Sequence, residues 1–262
     1  MLPGHTDVVT ANVLGTLPRG QARAALRGIL AARPDLVGLQ EWGLSRRGLL
    51  RETGSLRRLS GRGDRSRGTG ADGGYLWASP LLGACPVGVR AARYDLVGWR
   101  TRVLGWPGRS DRGARPFPVT PLRVATVAVL RDRVEGRDVS LVNFHLTPGV
   151  QSRGSYRADR PRLVARHRDE VRRLTRVVGE QLALGHTVVA VGDSNFDGLR
   201  IDGLTSAWEG RAHESGTLGP HRKIDDVHGP GRAVSVTLLS SASDHKAVLV
   251  RRRDLPRASV VS

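Results

Sequence analysis

Thr187-Val188-Val189-Ala190-Val191-Gly192-Asp193-Ser194-Asn195 is the stretch from which the fold can be read. Thr187 to Val191 has the length and apolar character of a buried strand, and it breaks into a Gly-Asp-Ser-Asn run. Just upstream, Leu163, Val164, Val171, Leu174, Val178 and Leu182 recur every three or four residues across Pro161 to Leu184. That spacing predicts an amphipathic helix whose other, arginine-crowded face is solvated. The same order of helix then strand appears near the start. Apolar residues at helical spacing span Ala22 to Ala32, Pro34 stops them, and Leu36 to Gln40 reads as the next strand.

Working outward, strands are predicted at Asp7 to Asn12, Tyr75 to Ala78, Val87 to Ala91, Arg123 to Leu130 and Asp138 to His145. Others follow at Ile224 to His228, Ala233 to Leu239 and Ala247 to Val250. Residues 45–74 are rich in Arg, Gly and Ser and read as a surface loop; Trp106 to Pro121 reads as a second loop. The pattern is that of one α/β domain over residues 1–252, with residues 253–262 a loose tail.

The 262-residue chain is 39% hydrophobic, enough for a core, and carries a formal net charge of +18. All but two of its 42 cationic residues are arginine, the exceptions being Lys223 and Lys246. Such a surface attracts polyanions, nucleic acid first among them, although GC-rich codon usage produces the same skew. No apolar run is long enough to span a membrane, and Met1 to His5 lacks the layout of a secretory signal. A cytoplasmic monomer is expected. One cysteine, Cys85, excludes an internal disulfide and a cysteine-only metal site.

Five places put polar groups at or just beyond the end of an apolar strand: Asn12, Gln40-Glu41, Asn143 to His145, Asp193 to Asn195, and Ser243 to His245. Buried carboxylates need a cation or a donor. Asp, Glu, Asn and His suit a hard divalent ion such as Mg²⁺ or Mn²⁺, and the collection points to metal-assisted hydrolysis at phosphorus.

These blocks, in this order, resemble the endonuclease/exonuclease/phosphatase (deoxyribonuclease I-like) superfamily of metal-dependent phosphoesterases. Val9 to Asn12 resembles its opening strand and Pro34 to Glu41 its second block. Asn143 to Leu146 resembles the first histidine block, Gly192 to Asn195 the G-D-x-N block, Ile224-Asp225 the aspartate strand and Ser243 to His245 the terminal S-D-H block. The resemblance implies a four-layered α/β sandwich, two packed mixed sheets flanked by helices. It implies Glu41, Asn12 and Asp244 around the metal, and Asp193, Asn195, His145 and His245 at the phosphate, with Asp225 behind His245. Either Asp193 or His245 then takes the proton from water.

Two departures stand out. Leu14 occupies a position that is acidic in some members, which favours one metal over two. No glutamate lies between Glu52 and Glu135 to support the first histidine, leaving Asp72 and Asp95 as possible substitutes. Nucleic acid is the favoured substrate, with Arg46, Arg47, Arg62, Arg65 and Arg67 as phosphate contacts and Trp42, Trp99 and Trp106 as stacking candidates. A small-molecule or lipid phosphoester is the alternative, disfavoured because no exposed apolar insertion is apparent. A non-catalytic nucleic-acid-binding module is the third reading.

Overall fold

The computed structural model describes residues 4–57, 74–111, 119–152, 154–211 and 215–253. The chain opens with β1 (His5–Asn12), α1 (Arg19–Ala31) and β2 (Leu36–Gln40). A 3-10 turn at Leu44–Arg46 leads into α2 (Arg47–Arg51), β3 (Gly54–Arg57), β4 (Tyr75–Ala78) and β5 (Val87–Arg90). The middle holds β6 (Tyr94–Gly105), the short pair β7 (Gly108–Arg109) and β8 (Val119–Thr120), then β9 (Arg123–Asp132) and β10 (Arg137–His145). A small hairpin, β11 (Gln151–Ser152) and β12 (Ser155–Tyr156), precedes α3 (Pro161–Ala183) and β13 (Thr187–Asp193). The last strands are β14 (Thr205–Ser206), β15 (Asp225–Gly229), β16 (Ala233–Leu239) and β17 (Ala247–Arg253).

Seven strands form one sheet in the order β16-β17-β1-β2-β5-β4-β3, and six form the other in the order β14-β15-β13-β10-β9-β6. Both are mixed. Near the centre of each lies a parallel pair, β1 with β2 and β10 with β13, and each pair is joined by a helix, as a parallel connection requires. Asn12 stands opposite Gln40 and His145 opposite Asp193, so both pairs finish at one end of the sandwich. β15 and β17 run antiparallel to their neighbours and therefore begin at that same end, beside Asp225 and His245.

Val8, Val89, Leu130, Leu141, Val191 and Val250 fill the space between the sheets. Ala22, Leu26 and Ile29 seat α1 on the outside of the first sheet, while Leu174 and Val178 seat α3 on the second. This is the deoxyribonuclease I-like four-layered arrangement. Gly38 allows the close approach of the sheets: a Cβ there would collide with Val191 and meet Asn143 at 3.0 Å. Among the described residues, no helix is long and apolar enough to cross a membrane.

Three expectations need correction. Residues 45–57 are not loop: Leu49 and Leu50 of α2 drop into the α1 cluster, and β3 pairs with β4. The rest of that segment, residues 58–73, lies outside the described residues, as does the tail from residue 254; Arg253 itself pairs with His5. β6, twelve residues long, was not predicted, because register shifts between Leu96 and Gly98 and between Val103 and Gly105 break its two-residue alternation. Finally, α3 buries His167, Glu170 and Gln181, polar positions expected to face water.

Candidate active site

Glu41 leaves β2 in the left-handed region (φ 58°). Its Oε2 accepts from the amide of Gly15 at 2.7 Å, and its Oε1 accepts from Asn12 Nδ2 at 3.3 Å. Beneath it, Gln40 Nε2 donates to Asn143 Oδ1 at 2.6 Å, and Asn143 Nδ2 donates to the carbonyls of Leu39 and Pro86, each at 2.8 Å. This buried amide ladder ties the two sheets together directly under the crevice, and a buried polar group is only tolerated when so satisfied.

Asn12 Nδ2 also donates to Asp193 Oδ2 at 2.9 Å, which carries the chain of contacts across to the second sheet. The same Oδ2 lies 3.5 Å from His145 Nε2. Asp193 Oδ1 accepts from the backbone amide of Asn195 at 2.8 Å. Asn195 sits at φ 53° and donates from Nδ2 to the carbonyl of Leu146. His245 and Asp225 form a tight pair, Nδ1 to Oδ2 at 2.7 Å, which leaves the other imidazole nitrogen of His245 free to face the crevice. Ligand atoms of Asp193, Asp225 and His245 all lie within 4.8 Å of one another, so this buried group can hold a metal ion. Glu41, Asn12, Asp193, Asn195, His145, Asp225 and His245 thus form one connected cluster.

Burial and the neighbouring Asp225 charge push the Asp193 carboxyl up to about 7, against the opposing pull of His245, Asn12 and Asn195. Burial works against charge on His245 as well. The hydrogen bond and charge of Asp225, with Asp193 and Asp244 adding to them, outweigh it and push the imidazole up to about 9. His145 goes the other way: burial, then the Arg123 and His245 charges, hold it well below the ordinary histidine range. Two imidazoles in one crevice are therefore held in opposite states at neutral pH, one cationic and one neutral.

Other expected residues fall elsewhere. Asp244 is exposed, accepts from Ser243 Oγ at 3.3 Å and stands outside the buried cluster. Arg46 is buried, and its guanidinium donates to the carbonyls of Val13, Leu14, Gly15 and Leu17 while lying over the Trp42 ring. It braces the loop after Asn12, and with its donors spent on four backbone carbonyls it is not available to a phosphate. Arg47 is half-buried on α2; Arg62, Arg65 and Arg67 lie outside the described residues. Trp42 and Trp99 are core residues, whereas Trp106 is exposed at the same end of the sandwich as the cluster. Asp95 pairs with Arg133 at the surface and does not support His145; Asp72 lies outside the described residues.

Sequence reasoning missed Arg123. It heads β9, its Nε is buried with no hydrogen-bond partner among the described residues, and it feels the charges of Glu170 and Asp193. Burial lowers its pKa from the ordinary arginine value. The signal is present in the sequence: Arg123 stands at the start of an apolar strand, where a polar group is as well placed to reach the crevice as one at a strand end. Behind it, Glu170 Oε2 accepts from the Thr147 amide and Oε1 from the Thr147 hydroxyl, each at 2.7 Å. Oε1 also accepts from Arg166 Nε at 2.7 Å. A side chain at Gly105 would collide with this carboxylate. His167 Nε2 lies 2.8 Å from the Ser194 carbonyl, which steadies the turn that presents Asn195. On a helix these residues look like surface polar groups, so only the packing reveals them.

No protein-family model and no curated protein matches the chain. Solved structures do. D. rerio TDP2 complexed with single-strand DNA product is 16% identical, covering 94% of this chain and 98% of its own, with a TM-score of 0.59. An endonuclease/exonuclease/phosphatase protein from Bacteroides vulgatus is 15% identical over 94% of this chain and 98% of its own (TM-score 0.62). The human Nocturnin catalytic domain with bound sulfate anion is 18% identical over 95% and 94% (TM-score 0.60). At these identities the likeness speaks for the fold, which is that of the endonuclease/exonuclease/phosphatase superfamily.

Proposed function

We propose that this chain is a divalent-metal-dependent phosphodiesterase acting on nucleic acid. The observation that carries the reading is the unbroken chain of contacts from Glu41 through Asn12 to Asp193, His145 and the His245–Asp225 pair. The donors fit Mg²⁺ or Mn²⁺: Asn12 Oδ1 is buried without a hydrogen-bond partner among the described residues, and the Glu41 carboxylate lies beside the same amide, an all-oxygen set. Glu41 and Asn12 would hold the ion, with Asp244 at the entrance. Asp225 Oδ2 is already bonded to His245, so the buried trio is better suited to proton handling. When bound, the cation supplies charge neutralisation at a non-bridging phosphate oxygen.

The protein's own groups then divide the work. Asp193 titrates near neutrality and takes the proton from the attacking water. His245, held cationic by Asp225, cannot act as that base and instead donates toward the phosphate. Arg123, with its unpartnered Nε, and the second N–H of Asn195 hold the remaining negative charge. Neutral His145 keeps Asp193 oriented from the far side. The completeness of this set disfavours a non-catalytic binding module, and the net charge of +18 favours a polyanionic substrate.

One observation favours a lipid phosphoester as the second reading. Leu81, Leu82 and Trp106, in loops, and Val119, at the start of β8, are each at least 60% exposed, contrary to the expectation that no apolar surface is offered. Assaying plasmid DNA, a chromogenic bis-phosphodiester and a phospholipid in parallel with Mg²⁺ decides between them. DNA and chromogenic cleavage, both lost in Asp193→Ala, supports the first reading; turnover of phospholipid alone supports the second.

A further inference from the structure

Arginine recurs along α3 at Arg162, Arg166, Arg173 and Arg176, a stripe on one face at helical spacing. Fourteen steps of about 1.5 Å from Arg162 to Arg176 make it about 21 Å long, the axial rise of about six nucleotides of one strand. α3 begins at the catalytic end, because it connects the end of β10 to the start of β13. Its first turns dock on the segment that leads to Arg123: Arg166 donates to the carbonyls of Trp106 at 2.5 Å and Pro121 at 2.6 Å and to the Thr120 hydroxyl. Further along, Arg173 donates to the Leu104 carbonyl at 3.0 Å, which brings β6 and its exposed Arg100 alongside.

The skew toward arginine is chain-wide, so the comparison that matters is with the other long helix. α1 carries Arg19, Arg23 and Arg27 at the same kind of spacing. There Arg23 is paired with both oxygens of Glu52 at 2.8 Å, and Arg19 donates to the Ser45 carbonyl. On α3, Asp169 answers Arg172, Glu180 answers Arg102 and Glu170 answers Arg166. Arg100, Arg162 and Arg176 form no ion pair with any described residue. On α1, Arg19 and Arg27 likewise form no ion pair with any described residue, so what sets the α3 stripe apart is its position, docked on the segment that leads to Arg123.

We infer that the flank of α3 that borders β6, with Arg100, is a track for the phosphate backbone of a nucleic-acid strand running from the scissile phosphate past Arg123. This rests on the phosphodiesterase reading and extends it: the substrate is a polymer engaged over several nucleotides. The test uses the triple variant Arg100→Gln, Arg162→Gln, Arg176→Gln, none of which supports the fold through an ion pair. A second triple, Arg27→Gln, Arg33→Gln, Arg51→Gln, removes equal charge from the α1–α2 side.

Binding of a fluorescent 30-nucleotide strand is measured by anisotropy in EDTA across a salt series, and hydrolysis of the chromogenic bis-phosphodiester is measured with Mg²⁺. The track triple is expected to bind the strand about tenfold more weakly, with the salt slope shallower by about 2, at about 0.7 per lost contact. Its chromogenic rate stays within twofold of the parent, and the control triple keeps the parent's strand affinity. Equal weakening by the control triple, or an unchanged salt slope in the track triple, overturns the inference. So does loss of capture by phosphatidylserine vesicles with strand binding intact, which would assign the face to a lipid surface. A parent that cuts no phosphodiester defeats the enzymatic reading, while the anisotropy series still decides the track.

Discussion

At the end of the sandwich where β2 begins, Asp35 and Asp132 are buried together with Arg90 and Arg93. Arg93 donates to both carboxylates, Arg90 to Asp35, and the amides of Val134 and Glu135 take up the remaining oxygen of Asp132. At the end where β2 finishes, Asp193, Asp225 and His245 are equally buried, but Asn12 Oδ1, Asp225 Oδ1 and Arg123 Nε have no hydrogen-bond partner among the described residues. Both ends bury charge, and burial by itself therefore says nothing about function. The far carboxylate oxygens are satisfied by the fold, whereas in the near group Asp225 Oδ1 and the amide oxygen of Asn12 have no partner among the described residues.

The sharpest way to break this contrast is Asp193→Ala. Phosphodiester hydrolysis is expected to fall by about 10³-fold with the fold retained by circular dichroism, within the range seen for loss of a general base. Retained activity would remove Asp193 from the chemistry. Asp132→Ala should do the converse. It strands Arg93 beside the remaining partner and should destabilise the protein by about 3–5 kcal/mol in urea unfolding, with kcat unchanged in the folded enzyme. A fall in kcat there would mean that the far end is not merely structural.

The pH profile sharpens the contrast further. Asp193 must be deprotonated and His245 protonated, so the rate should rise through about pH 7 and fall through about pH 9. Asp225→Asn removes the largest support for the imidazolium and should bring the alkaline limb toward neutrality. Stability follows the same sign. The raised His245 pKa contributes stability fully present below its unfolded value near 6.5 and lost as pH rises through about 9, so the variant should lose the most at acidic and neutral pH. The smallest effect is expected from Glu41→Gln: about a tenfold higher Mg²⁺ requirement with a similar rate at saturation, read by metal titration, and no change in unfolding.

Much of the architecture was legible because it is written locally. An apolar run of five to eight residues ending in Asn12, Glu41, His145 or Asp193 announces both a strand and the polar group at its tip, and the resemblance to family blocks rested on those same residues. β6 was illegible because its bulges destroy the alternation that marks a strand. Arg46 and Arg123 show the other limit. The two look alike in sequence, yet one spends its donors on four backbone carbonyls and the other keeps Nε unpaired beside Asp193.

The sequence by itself determined which segments become strands and helices and which carboxylates, amides and imidazoles stand at strand ends, because periodicity and chain breaks act over a few neighbouring residues. Tertiary structure alone decided which of those groups meet, that Asp193 shares its crevice with Asp225, that His245 is cationic while His145 is neutral, and that the α3 arginines dock on the segment leading to Arg123. Charge state and hydrogen-bond satisfaction are set by neighbours brought from far along the chain, 181 positions away between Asn12 and Asp193, and by the loss of water around them.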